Sequence, residues 1–82
     1  MITNKQDLVR YMYRFADKQV DRGDEHNADV GYKIASILMK PNPDEGSKQW
    51  AAVNIGMIFN ATGVEWEEFD LFEDISSQSI LV

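Results

Sequence analysis

The sequence predicts an all-α fold, a small single-domain bundle of about four helices near residues 4–22, 27–40, 47–62 and 65–75. Three observations predict it. Apolar residues recur at i, i+3 and i+4 over most of the chain, the spacing of one helix face. Gly23, the Pro41–Gly46 stretch and Gly63 punctuate those periodic runs. The chain has 82 residues, is 44% apolar and lacks cysteine, so one modest core must form without disulfides. The domain is expected over 1–75, with the Ser76–Ser79 stretch opening a flexible tail over 76–82.

The first helix is capped by Thr3 or Asn4, with Gln6 or Asp7 three residues on as in a capping box. Leu8, Tyr11, Met12, Phe15, Ala16 and Val20 share its apolar face. Arg10, Arg14, Lys18 and Arg22 follow one another at i+4 steps on the other side, where Arg14 and Asp17 can pair. Gly23 ends the helix as the residue free to turn left-handed.

Asp24 or Asn27 starts the second helix. Ala28, Tyr32, Ala35 and Leu38 or Met39 form one stripe, and Val30, Ile34 and Ile37 a second beside it. So wide a face predicts a central helix touched on two sides. Asp29 and Lys33 form an i, i+4 pair.

Two prolines and a glycine break the chain over 41–46, and Ser47 is the expected cap of the third helix. Trp50, Val53, Met57 and Ala61 mark its expected inward face, thickened by Ala51, Ile55, Ile58 and Phe59. The Val and Ile content leaves a strand as the alternative. Gly56 costs about 1 kcal/mol inside a helix, which predicts the close approach of a neighbour there.

The fourth segment carries the charge asymmetry. Eight acids balance eight bases over 1–48, whereas the rest of the chain holds six acids and no Lys, Arg or His. Those six are Glu65, Glu67, Glu68, Asp70, Glu73 and Asp74, so the net charge of -6 lies within ten residues. Trp66, Phe69, Phe72 and Ile75 recur at i+3, which predicts a short amphipathic helix, with a strand from 64 to 71 as the alternative. Its acids repel one another at i, i+4, so it must lean on packing or on a cationic partner.

Catalytic signatures are missing. There is no thiol, His26 is the lone histidine, in a polar stretch, and no G-x-S-x-G elbow presents a serine. Paired carboxylates for acid–base work must converge from different elements, but here the acids crowd one segment. A calcium loop with Gly63 at its sixth position puts Ile58 and Phe69 where oxygen ligands are needed. No phosphate-binding glycine motif occurs. The chain is therefore expected to be no enzyme and to bind no metal or cofactor.

No run approaches the roughly 20 apolar residues of a membrane span, and the N-terminus lacks a signal-peptide core, so a cytoplasmic location without membrane insertion is expected. A pI near 4.5 disfavours direct nucleic-acid binding, and only the Arg10, Arg14, Lys18 and Arg22 line would support a weak version of it. The expected function is that of a small acidic binding or inhibitory protein. Glu65, Glu67, Glu68, Asp70, Glu73 and Asp74 would dock on a basic surface of a partner protein, or imitate the phosphates of a nucleic acid. Phage and mobile-element modulators of host proteins share this general character. The alternative is a homodimer built on the apolar faces of the second and third helices.

Overall fold

Leu8, Met12, Ile34, Leu38 and Ile55 are the largest fully buried side chains among the described residues, and they come from all three described helices. A computed structural model describes residues 2–65, in the order α1 (Lys5–Asp21), α2 (Glu25–Met39) and α3 (Glu45–Thr62). No strand occurs among the described residues. The expected fourth helix over 65–75 and the tail over 76–82 lie outside them, apart from Glu65, which is not helical.

Asn4 caps α1, its side-chain oxygen accepting from the Asp7 N–H at 2.9 Å while its amide donates to the Asp7 carboxylate at 3.1 Å. The buried face is Leu8, Met12, Ala16 and Gln19, whereas Val20 is exposed. Helical geometry accounts for this correction: Gln19 lies about 20° around the axis from Leu8, and Val20 about 120°. The helix ends with the Gly23 N–H on the Val20 carbonyl at 3.0 Å and the Asp24 N–H on the Gln19 carbonyl at 2.8 Å. Gly23 provides the positive φ of 78° that this Schellman closure requires.

Asp24 caps α2 through the Asn27 N–H at 3.2 Å. The α1–α2 hairpin is antiparallel: the Tyr32 hydroxyl donates to Asp17 at 2.6 Å, and Tyr13 lies across from Met39. Its helices approach closely at Gly31. A Cβ there would lie 3.0 Å from the Ala16 Cβ and 3.3 Å from the Met12 carbonyl oxygen. The close approach expected at Gly56 is thus found at Gly31, and Gly56 itself faces open space.

The cap of α3 is Asp44, not Ser47. Its carboxylate accepts the Ser47 N–H at 2.6 Å, so the helix begins within the expected break, at Glu45. The inward face also differs from expectation. Ala51, Ile55, Ile58 and Phe59 are buried, while Val53 and Met57 are 62% and 63% exposed and Ala61 is exposed. No charged residue lies between Lys48 and Glu65, so polarity does not select a face, and packing selects the stripe that meets α1 and α2.

As the double stripe implies, α2 is the central helix, with α1 and α3 packed on it. Lys33 does not pair with Asp29 among the described residues. Its ammonium sits 4.4 Å from the Trp50 ring centre, an attraction that joins α2 to α3 and outweighs an exposed i, i+4 pair.

Candidate functional site

Gly63 lies two residues before the first acid of the predicted run. Its φ of 69° ends α3 and turns the chain, with its N–H on the Phe59 carbonyl at 2.9 Å. Val64 then packs, half-buried, against the core cluster. The Glu65 carbonyl accepts the Ile2 N–H at 3.4 Å, and Glu65 as a residue is exposed. Of the six predicted partner-binding carboxylates, the structure thus places Glu65. Glu67, Glu68, Asp70, Glu73 and Asp74 lie outside the described residues.

Tyr11 fixes this exit against α1. Its hydroxyl donates to the Thr62 hydroxyl oxygen at 2.9 Å, and that hydroxyl donates in turn to the Ile58 carbonyl at 2.8 Å. The Tyr11 ring meets Phe59 edge-on, with centroids 5.4 Å apart. An aromatic contact of this kind adds about 0.5–1.5 kcal/mol beyond the area it buries.

The basic line of α1 borders the same exit. Arg10, Arg14, Lys18 and Arg22 are all exposed. Arg10 reaches Asp7 at 3.9 Å. Arg14, Lys18 and Arg22 make no ion pair among the described residues, and the expected Arg14–Asp17 pair is not formed. Asp17 instead accepts the Tyr32 hydroxyl, and that bond, reinforced by the acid's charge, raises the Tyr32 pKa above its ordinary value. Arg14, Lys18 and Arg22 line a groove of about 700 Å³ together with Thr62 and Val64. Arg10 and Arg14 line a second hollow beside Ile2.

One surface feature escaped the sequence reading. The outward face of α3 exposes Val53 and Met57 and carries no charge beyond Lys48. The signal was present, because Val53 and Met57 lie on the side of the helix opposite Ala51, Ile55 and Ile58, and a core this small buries one of the two stripes.

His26 lies exposed in the first turn of α2. Among the described residues, no group of three or more His, Cys, Asp or Glu side chains could hold a metal ion. No helix of the described residues is long and apolar enough to cross a membrane. Comparison with protein families, with characterised proteins and with solved structures finds no match.

Proposed function

We propose that the chain is a non-enzymatic protein-interaction module. Its acidic segment, Glu65, Glu67, Glu68, Asp70, Glu73 and Asp74, docks on a partner surface rich in Lys and Arg. The observation that carries this reading is a juxtaposition. The charge-free stretch of α3 beyond Lys48, with Val53 and Met57 more than 60% exposed, is followed in sequence by the acidic run that begins at Glu65. Exposed apolar residues followed in sequence by concentrated charge supply the two components of a contact surface, apolar area for burial and charge for steering. A partner that is a nucleic-acid-binding protein fits the same surface, because closely spaced carboxylates imitate phosphates.

Affinity capture with the wild type and with Glu67→Ala/Glu68→Ala/Asp70→Ala, followed by titration of the purified partner, tests the reading. The expected result is one basic protein whose affinity falls at least tenfold between 50 and 300 mM salt and is lost in the triple variant, as ion-pair-steered contacts require. Equal retention by both proteins would reduce the acids to a solvated surface.

A second reading is favoured by the exposed Val53 and Met57, namely a homodimer through α3. Most of the apolar stripes of α2, namely Ala28, Ile34, Ala35, Ile37 and Leu38, are already buried, which leaves α3 to carry it. Light scattering decides: twice the 9.4 kDa chain mass, unchanged by salt and halved by Met57→Lys, supports the dimer.

A further inference from the structure

The described helices leave a cleft between α1 and α3. We propose that this cleft binds an extended segment of a partner protein in which acidic and apolar residues alternate. The surface is distinct from the acidic run and opposite to it in sign, so the proposal does not rest on that run's role.

Three observations carry it. The first is the cleft itself. No Cα of α1 lies within 8 Å of a Cα of α3. Side chains join the two helices instead, with Tyr11 reaching Phe59 and Thr62. Between the helices lie two adjoining hollows of about 700 and 460 Å³, which share Phe15, Gln19, Arg22 and Thr62 as lining.

The second is an amide. Gln19 is the one buried polar side chain among the described residues, 9% exposed, and its carboxamide makes no hydrogen bond there. None of its polar atoms is sealed off, so the amide keeps access to the cleft. Holding it there without a partner weakens the fold, and an apolar side chain of similar size would pack better. A carboxamide offers one acceptor and two donors, which match the N–H and C=O of a peptide unit.

The third is the spacing of charge. Arg14, Lys18 and Arg22 line the cleft from α1 and its C-cap, in steps of about 6 Å along the axis. In an extended chain every second side chain points the same way, about 6.6 Å apart. Acids at alternate positions therefore keep pace with the three cations, none of which is in an ion pair among the described residues. The two aspartates of the lining are already engaged, Asp17 by Tyr32 and Asp24 by Asn27. The intervening side chains of the segment turn the other way, and the second element of the cleft, α3, contributes the apolar Met57, Ile58 and Ala61. A nucleic-acid strand, charged at every residue, would meet Asp17 and Asp24 and leave that apolar lining unused.

Titration of the 82-residue protein with the probe acetyl-Glu-Leu-Glu-Leu-Glu-amide, followed by amide NMR, tests the proposal. Signals of Phe15, Gln19, Arg22 and Thr62 should move together, with an affinity that falls about tenfold from about 50 to 300 mM salt. Counterparts with Gln or Lys in place of Glu should bind about tenfold more weakly or worse. Arg14→Glu/Lys18→Glu/Arg22→Glu should abolish binding. All three positions are exposed, and circular dichroism checks that the helices persist. Gln19→Leu should weaken binding about fivefold while its urea midpoint holds or rises. A Gln19 that only supports the fold would give the reverse. The proposal fails if no signal moves at about 5 mM peptide, if the Gln counterpart binds equally well, or if the charge reversal leaves binding intact. It fails too if a single-stranded oligonucleotide displaces the peptide. Signals that shift with protein concentration alone would make the occupant a second copy. Signals that shift in Glu67→Gln/Glu68→Gln/Asp70→Asn without peptide would make it the chain's own acids, and either result overturns the proposal.

Discussion

Replacing Gly31 and Gly56 by alanine, one at a time, separates packing from helix propensity. Both glycines lie inside helices, so each substitution gains the same propensity, about 1 kcal/mol. Their surroundings differ. At Gly56 the new methyl meets nothing within 4 Å. At Gly31 it meets the Ala16 Cβ at 3.0 Å, the Phe15 Cδ1 at 3.1 Å and the Met12 carbonyl oxygen at 3.3 Å. Phe15 can rotate away, but the Ala16 Cβ and the Met12 carbonyl belong to the rigid wall of α1. The hairpin must therefore open by several tenths of an ångström, a strain of about 1–3 kcal/mol. Gly31→Ala should lose about 1 kcal/mol net, and Gly56→Ala should gain up to about 1 kcal/mol. In a domain of this size, thermal unfolding followed at 222 nm should put their midpoints about 10 °C apart, with wild type between them. Adding Ala16→Gly to Gly31→Ala should cost less than Ala16→Gly costs in the wild type, because the nearest obstacle is gone. A Gly31→Ala protein as stable as Gly56→Ala would refute the close approach of α1 and α2.

Three further outcomes are expected. Asp44→Ala removes the cap of α3 and should cost about 1 kcal/mol, read as a lower urea midpoint with unchanged slope, while Ser47→Ala should change little. Tyr11→Phe keeps the edge-on contact with Phe59 but loses the bond to Thr62, for about 0.5–1.5 kcal/mol by the same measurement. Acid should loosen the helix starts. Hydrogen bonds from Asn27 hold the Asp24 pKa below its ordinary value, and those from Ser47 do the same for Asp44. A depressed pKa in the folded state gives stability that is complete above the unfolded value of 3.8 and lost as pH falls through the lower folded value. Urea midpoints recorded down to pH 2 should therefore fall more steeply in wild type than in Asp24→Asn/Asp44→Asn.

The three described helices were legible because their signals are local. Periodicity, the cap at Asn4 or Asp24 and the left-handed Gly23 involve residues within a turn of one another. What was not legible depends on which surfaces meet. The run from Gln49 to Val64 offers two apolar stripes and no charge to rank them, so the outward turn of Val53 and Met57 follows only from the fit of Ala51, Ile55 and Phe59 against the core. Gly31 looked unremarkable within α2, and its role emerges once Ala16 is placed opposite it. Capping shows the same limit on a smaller scale. Asp44 and Ser47 lie three residues apart with equal capping chemistry, and the start at Glu45 decides between them. Of the candidate site, the sequence supplied the carboxylates but not their surroundings. That Arg14, Lys18 and Arg22 border the exit at Val64 is a tertiary fact, set by the hold of Tyr11 on Thr62.

The contact between Ile2 and Glu65 has a consequence for the order of folding. It joins residues 63 positions apart, so closing it costs about 3–4 kcal/mol of chain entropy if nothing else has formed. The α1–α2 hairpin closes far shorter loops, so it should form first, and the Ile2 bridge should be among the last contacts made and the first broken. At 3.4 Å its hydrogen bond is also long. The Ile2 amide should then exchange with solvent through a local opening that leaves the helices intact. A ligand that pulls on the exit of α3 would have this latch to work against, and not the stability of the whole fold.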